Sequence, residues 1–277
     1  MWLKSSANSA FRKVVFAASV AVLCLPLAAD AAEIRIGGTG NALGTMRLLG
    51  EAFAKLHPES NPVIIDSIGT SGAIKALPKG AIEIGLSSRP LTEEEARSGL
   101  TAIEYARSPT VFAVNMKSNV ASVTLDQIAG IYSGKLTRWP DGTKIRPIMR
   151  QPGDDNTRQV RQLSAEIEQA LGAAEKREGM AFASNDQEAA DKIEQIPGAI
   201  GVTTIALIRS ENRKLRPMAI NGIEPTPANL RSGRYPIAKT FYFVLPKERK
   251  PAVQEFIGFV RSPEGRKILE QSGNTVP

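Results

Sequence analysis

The chain has 277 residues, of which 42% are hydrophobic and 23% charged, with one cysteine, one histidine and a net charge of +7. These are the proportions of an ordinary globular protein, and they exclude a disulfide scaffold, a Cys/His zinc module, a collagen-like chain and a mostly disordered protein. The length allows one large domain or two domains of about 100–150 residues each.

The first 31 residues have the organisation of a cleavable export signal. Three basic residues precede an apolar run over residues 14–27, and Ala29 and Ala31 provide small residues for cleavage near Ala31. The alternative, an uncleaved membrane anchor, needs about 20 apolar residues, which is longer than this run. The only cysteine, Cys24, lies inside the apolar run. We therefore expect a periplasmic protein without disulfides.

After the signal, strand and helix patterns alternate, which favours an α/β domain with a largely parallel sheet. Apolar residues at helical spacing lead from Met46 to a stop at His57-Pro58, and Thr92 with Glu95 forms a capping box. The predicted elements are strands over 33–37, 62–68 and 82–86 and helices over 46–56 and 74–77, with another helix opening at Thr92.

A second α/β unit follows the first. Near its end, Ser262 and Pro263 are an N-cap and a first helical residue. The predicted elements are strands over 111–115, 145–150, 199–203 and 240–245, and helices over 125–132, 156–171, 185–196, 253–260 and 262–271. Two such units, followed by C-terminal helices that could pack back on the first unit, predict a two-domain clamp. The alternative is one larger doubly wound domain.

Four loops share one design, in which small polar residues stand between the end of a strand and the start of a helix. In open α/β sheets, this is where helix N-termini present free backbone N–H groups to ligands. Neither a GxGxxG fingerprint nor a P-loop lysine is present. Arg89 and Arg150 add positive charge, so the loops suit a small oxyanion; the alternative for both arginines is a salt bridge. The loops are residues 37–41 (first), 69–72 (second), 85–90 (third) and 150–157 (fourth).

The loops and the segments around them resemble the periplasmic phosphate-binding proteins of ABC importers, the PstS-like group of type II solute-binding proteins. The matching pieces span nearly the whole exported chain, and the segment at 125–142 is the most specific. They are GGTGNALGTMRLLGEAF (37–53), IGTSGAIKAL (68–77), IEIGLSSRPLTEEE (82–95), LDQIAGIYSGKLTRWPDG (125–142), PGAIGVTTIAL (197–207) and YPIAKTFYFVL (235–245).

The resemblance implies a two-lobed periplasmic-binding-protein type II fold. Each lobe is expected to have a mostly parallel sheet flanked by helices, and two crossover strands join the lobes. The implied domains are the signal peptide (1–31), lobe I (32–112 plus 238–277) and lobe II (113–237). The hinge is expected near residues 108–114 and 236–243.

In this family, an anion is held in the cleft between the lobes. The implied function is to capture a small oxyanion, with phosphate as the first expectation, and to deliver it to an ABC permease. The protein is expected to act as a monomer without cofactor, metal, catalytic residue or nucleic-acid partner. The residues expected to bind the ligand are Thr39, Gly40, Asn41, Ser71, Gly72, Ser88, Arg89, Arg150, Asn156 and Thr157.

Two departures from the family pattern concern the charges around the ligand. The third loop has Ser88 where phosphate binders carry an aspartate, and the fourth loop is one residue longer and contains Asp154 and Asp155. One hypothesis is that Asp154 or Asp155 replaces the missing aspartate as acceptor of the proton on phosphate. The other, which we favour at this point, is that Asp155 only caps the following helix.

Two other classes of function are compatible with the sequence. A sensor or surface-interaction protein could use the same fold without a transport partner. A phosphoester hydrolase would need a metal cluster or an activated nucleophile, and the exported chain offers one histidine, no cysteine and the Asp154-Asp155 pair. We therefore expect a binding protein and not an enzyme.

Overall fold

The computed structural model describes residues 31–277, which form one compact unit. All of the predicted signal peptide except its last residue lies outside the described residues. Within residues 31–277, no helix combines the length and apolar character that crossing a bilayer requires.

The strands are formed mainly by the short β-branched and apolar runs from which they were predicted. They are β1 (Ala32–Gly38), β2 (Ser60–Ile64), β3 (Ile84–Ser87), β4 (Thr101–Asn115), β5 (Ser122–Val123), β6 (Arg146–Arg150), β7 (Ala181–Ala183), β8 (Ala199–Thr204), β9 (Leu215–Pro217), β10 (Ala219–Ile220) and β11 (Ala238–Leu245).

Most of the described helices begin at a residue whose side chain caps them; the helices that begin at Gly40, Gly69 and Pro251 do not. Thr92 and Glu95 form the predicted capping box, and Ser262 caps the last helix with Pro263 as its first residue. The helices are α1 (Gly40–Leu56), α2 (Gly69–Ala76), α3 (Glu93–Arg97), α4 (Leu125–Ser133), α5 (Asp155–Arg161), α6 (Ala165–Glu175), α7 (Asp186–Gln195), α8 (Ile205–Ser210), α9 (Pro227–Arg231), α10 (Pro251–Arg261) and α11 (Pro263–Gln271).

Nine strands of the described chain form one continuous sheet. Its order is β2-β1-β3-β11-β4-β8-β6-β7, and β9 also pairs with β4. Strands β2, β1 and β3 run parallel, as do β8, β6 and β7, whereas β11 and β4 are antiparallel to their neighbours. The predicted α/β class with two mostly parallel regions is therefore confirmed.

Strand β4 connects the two parallel regions. It is 15 residues long and pairs with β11 from Thr101 to Pro109, then with β8 from Thr110 to Val114. Strand β11 lies between β3 and β4. The predicted hinge at residues 108–114 thus coincides with the position at which β4 changes partner, and hinge motion itself stays a prediction.

Two large apolar clusters lie on either side of this change of partner. One consists of buried residues between Val111 and Ile237, and the other combines residues 34–106 with Ala206 and residues 241–269. Tyr132 and Trp139 of the 125–142 segment pack in the first cluster. The division into two lobes stays a prediction, because residues 31–277 form one compact unit.

Several predicted elements are wrong in their bounds. Helix α1 begins at Gly40 and not at residue 46, α2 covers Gly69–Ala76 and not 74–77, and β2 ends at Ile64 and not at residue 68. The helix predicted over 156–171 is two helices, α5 and α6, because Ser164 accepts a hydrogen bond from the Ile167 N–H and starts a new helix. The strand predicted over 111–115 begins ten residues earlier, at Thr101. Its first half was missed because Glu104 and Arg107 interrupt the apolar pattern, and they pair with each other on the exposed surface.

Candidate functional site

A cleft of about 360 Å³ lies at the carboxyl ends of the parallel strands. The loops that follow β1, β2, β3, β6 and β7 all contribute to it, and so does the crossover strand β11. Its lining residues are Thr39, Ser67 to Ser71, Ser88, Arg89, Arg150, Gly153 to Asp155, Arg158, Ser184 to Asp186 and Lys239. The sequence therefore predicted the correct edge of the sheet, where α/β proteins bind their ligands.

The first loop approaches the third loop closely because Gly38 has no side chain. Its φ is +153°, and a Cβ there would lie 2.0 Å from the carbonyl oxygen of Leu86. This close approach lets the Thr39 N–H donate to that carbonyl at 2.9 Å. Gly38 thus sets the position of Thr39 and of the α1 N-terminus at the cleft.

Hydroxyl groups join the second and third loops. Thr70 Oγ1 accepts from the Ser88 N–H at 3.0 Å and lies 3.2 Å from Ser88 Oγ. Ser71, which is exposed, lines the cleft beside them. These hydroxyls can donate hydrogen bonds to the oxygens of an oxyanion, and they can accept one from its acidic O–H group when it is protonated.

Arg89 lines the cleft, but its charge is shared with Glu95. Its two terminal nitrogens donate to the two Glu95 oxygens, each at 2.7 Å. This bidentate salt bridge is the alternative that the sequence left open for Arg89. The hydrogen bonds from Arg89, outweighing partial burial, hold the pKa of Glu95 at about 2.

We predict that Glu95→Gln lowers the free energy of unfolding by about 1 kcal/mol at pH 7. The glutamine oxygen can preserve the capping box, so the variant removes the charge and one of the two hydrogen bonds from Arg89. Because the folded pKa of Glu95 is depressed, its contribution is present above about pH 4.5 and is lost as the pH falls toward 2. Urea unfolding at pH 7, 4 and 2.5 measures the difference, and Glu93→Gln on the same helix is the control. An equal difference at pH 7 and 2.5 would contradict the assignment.

Arg150 is the most buried arginine of the cleft, with 8% of its surface exposed. Nη2 donates to Asp154 Oδ2 at 2.6 Å and lies 3.6 Å from Asp186 Oδ1. Nε and Nη1 are buried without a hydrogen-bond partner among the described residues. A buried guanidinium with unused donors is a strong binding group for an oxyanion, because the cost of burying its remaining N–H groups is offset when an acceptor binds them.

Asp186 links the segments expected to hold the ligand. Its Oδ2 accepts from the Asn41 N–H at 3.1 Å, and its Oδ1 accepts from Asn156 Nδ2 at 3.0 Å. Helix α1 has no side-chain N-cap of its own and no acidic residue in its first turn. Asp186 therefore supplies the negative charge that a helix N-terminus favours.

The structure corrects the interpretation of Asp155 as the helix cap. Asp154 is the N-cap of α5, since its carboxylate accepts from the Asn156 N–H at 2.9 Å. Asp155 is the first residue of the helix, and its carboxylate accepts from Lys239 Nζ at 2.8 Å and from Arg158 Nη2 at 3.3 Å. Burial raises the pKa of Asp155, but the two cations outweigh burial and hold it below its usual value.

Half of the ten predicted binding residues line the cleft, and the other half lie behind it. Thr39, Ser71, Ser88, Arg89 and Arg150 are in the first group. The second group is Gly40, Asn41, Gly72, Asn156 and Thr157. Asn41 and Asn156 are buried and hold Asp186 instead of facing the cleft. Which of the ten bind a ligand stays a prediction.

Three charged residues of the cleft were not predicted from the sequence, and they are Arg158, Asp186 and Lys239. Lys239 carried a usable signal, because a lysine interrupts the otherwise apolar and aromatic run of β11. Asp186 follows β7, a strand of three residues that has no pattern of its own, although Asn185 caps α7.

The lining residues comprise four cations and three carboxylates, which are Arg89, Arg150, Arg158 and Lys239 against Asp154, Asp155 and Asp186. Glu95, which lies outside the lining, pairs with Arg89, so these charges balance, and Arg150 and Lys239 are the buried cations that can meet an anion. No histidine lies among the lining residues, and the metal-sized cluster found within residues 31–277 (His57, Glu59 and Glu255) is not part of the lining. The arrangement can hold a small oxyanion by charged hydrogen bonds.

Comparisons with known proteins agree with this geometry. A family model for a PBP superfamily domain matches residues 26–264. The phosphate-binding protein PstS of Borreliella burgdorferi is 24% identical over 249 residues, which is 86% of this chain and 89% of the relative. PstS of Bacillus subtilis is 23% identical over 250 residues, covering 88% and 80%.

Solved structures show the same fold. A putative phosphate ABC transporter substrate-binding protein of Clostridium perfringens, with bound phosphate, superimposes with a TM-score of 0.73 at 25% identity and covers 88% of this chain and 99% of that one. A phosphate transport receptor of Vibrio cholerae gives a TM-score of 0.61 at 23% identity, covering 88% and 100%. The resemblance to PstS-like proteins and the type II fold are thereby confirmed.

Proposed function

The chain belongs to the PBP superfamily, and we propose that it is an extracytoplasmic solute-binding protein that captures phosphate in the cleft. It binds without catalysis and needs no cofactor. We also propose that residues 1–31 direct export to the periplasm, that the protein acts as a monomer, and that it delivers its ligand to an ABC permease. The names of the PstS relatives and of the Clostridium perfringens structure support phosphate as the ligand.

The observation that carries the proposal is the buried guanidinium of Arg150 in a cleft lined by hydroxyls. A charge-assisted hydrogen bond to a phosphate oxygen is about twice as strong as a neutral one, and arginine matches the geometry of two such oxygens. Thr39, Thr70 and Ser88 stand at neighbouring loops and can bind the remaining oxygens. No group in this set favours a cation or an apolar ligand.

Asp155 gives the site a means of recognising the proton on phosphate. Its lowered pKa keeps it ionised at neutral pH, so it can accept a hydrogen bond from a P–OH group but repels sulfate, which has no proton to donate. We prefer Asp155 to Asp154 for this role because Asp154 is committed to capping α5 and to Arg150. In this proposal Asp155 compensates for Ser88 at the position of the missing aspartate.

Binding is proposed to close the two lobes about the crossover strands. The cleft is lined by the first three loops on one side and by the fourth loop and residues 184–186 on the other. Only a closed state lets one small anion contact both sides, so the ligand stabilises that state by its differential affinity. Strand β4 changes partner between Pro109 and Thr110, which is where rotation would occur.

A thermal-shift panel tests the proposed ligand. The purified protein is unfolded and refolded by dialysis to remove bound anion, then mixed with phosphate, sulfate, molybdate, nitrate or phosphonates. Phosphate at 100 times its dissociation constant adds about 2.7 kcal/mol of stability, which raises Tm by roughly 5–10 °C for a chain of this size. Sulfate is expected to give a much smaller shift. No shift with any anion would contradict the proposal and favour a sensor or surface protein.

A further inference from the structure

Lys239 is a fully buried lysine on a crossover strand. Only 1% of its side chain is exposed, although it lines the cleft. Successive side chains of β11 point to opposite faces of the sheet. Phe241, two positions after Lys239 and on the same face, is also buried. A strand position of this kind normally holds an apolar residue, so the presence of an ammonium group there requires a reason.

Asp155 alone does not satisfy this ammonium group. Lys239 Nζ donates to Asp155 Oδ2 at 2.8 Å and has no other hydrogen-bond partner among the described residues. An ammonium group has three N–H donors, and a buried charge pair is stable only when its remaining donors are also bound. At least one further acceptor is therefore expected beside Nζ, and the open space beside it is the cleft.

The charges of the cleft indicate an anionic acceptor. Asp155 is already shared between Lys239 and Arg158, while Asp154 and Asp186 are both next to Arg150. The carboxylates of the cleft are thus occupied by partners, and none of them is left to accept the remaining N–H donors of Lys239. An incoming oxyanion supplies the acceptors that Lys239 lacks.

We propose that Lys239 is a ligand-binding residue whose ammonium group donates directly to the bound oxyanion, so that Arg150 of β6 and Lys239 of β11 hold the ligand together. This inference rests on the proposed function. It places one ligand contact on a crossover strand, where Ala238 is paired with Pro109 and Lys239 with Ser108 of β4. The ligand would then contact a residue of the predicted hinge directly, in addition to the contacts that it makes with the loops.

A comparison in the Asp155→Asn background separates ligand binding from simple neutralisation of Asp155. If Lys239 only neutralises that carboxylate, removing Lys239 has little effect once Asp155 is uncharged. If it donates to the ligand, K239Q/D155N should bind phosphate about 10- to 100-fold more weakly than D155N, the size of one lost charged hydrogen bond. Isothermal titration calorimetry at fixed salt measures both dissociation constants.

Lys250→Gln is the matched control, because Lys250 is 63% exposed, pairs with Glu83 and does not line the cleft. It should change the affinity less than two-fold. A loss of less than ten-fold between D155N and K239Q/D155N would overturn the inference while leaving phosphate binding established. If the wild-type protein binds no phosphate, the proposed function and the inference fail together.

A crystal structure of the wild-type protein with phosphate provides a second test if a variant does not fold or if D155N no longer binds. A phosphate oxygen is expected within hydrogen-bond distance of Lys239 Nζ, at about 2.7–3.2 Å. A phosphate in the cleft with all its oxygens beyond about 4 Å from Nζ would overturn the inference. Unchanged circular dichroism and Tm establish folding of each variant before titration.

Discussion

Arg150→Gln is expected to weaken phosphate binding by about 100- to 1,000-fold. The substitution removes the most buried cation of the cleft and the two donors, Nε and Nη1, that have no partner among the described residues. Two lost charged hydrogen bonds correspond to about 3–4 kcal/mol, and each 1.4 kcal/mol is a factor of ten in affinity. Calorimetric titration with phosphate measures the loss.

The same variant is expected to lose about 3 kcal/mol of folding stability. Asp154 and Asp186 both lie beside the guanidinium, and removing one partner of a buried charge pair leaves the others uncompensated. Arg146→Gln is the control, because Arg146 is an exposed residue of the same strand and its side chain donates only to the Pro197 carbonyl among the described residues. A folded R150Q protein that binds phosphate within ten-fold of the wild type would contradict the account.

Asp155→Asn is expected to remove the preference for phosphate over sulfate. An amide oxygen accepts a weaker hydrogen bond from the P–OH group than a carboxylate does, and a neutral amide no longer repels a fully ionised anion. We expect phosphate affinity to fall about 10- to 100-fold, the worth of one charged hydrogen bond, while sulfate affinity rises. Competition titrations with both anions measure the ratio.

Asp154→Asn is the matched control for selectivity. It removes the same charge one residue earlier, and asparagine is as good an N-cap as aspartate, so α5 keeps its first hydrogen bond. The phosphate-to-sulfate ratio of D154N should stay close to that of the wild type. An unchanged phosphate-to-sulfate ratio in D155N, or a loss of this preference in D154N instead, would show that Asp155 does not recognise the proton on phosphate.

Features that depend on neighbouring residues were predictable from the sequence. The capping box of Thr92 and Glu95, and Ser262 before Pro263, are formed within one helical turn. The four loops were placed at one edge of the sheet because parallel strands bring their carboxyl ends together. The order of the elements followed from the alternating strand and helix patterns, and the family resemblance, which the comparisons confirm, agrees with it.

Features that depend on distant residues were not predictable in this way. Asp186 reaches Asn41 across 145 positions, and Lys239 reaches Asp155 across 84. No local pattern encodes these contacts, since they depend on how the two parallel regions meet along β4. The cap of α5 was misassigned for a different reason. Asp154 and Asp155 are both suitable caps, and only the extended backbone of Asp154 decides between them.

Equilibrium dialysis of the stripped wild-type protein against radiolabelled phosphate shows whether the cleft is a phosphate site. We predict saturable binding of one phosphate per chain, resistant to a hundred-fold excess of sulfate and greatly weakened in R150Q. Absence of saturable binding, or binding that R150Q retains at full strength, would contradict the assignment of the cleft as a phosphate site.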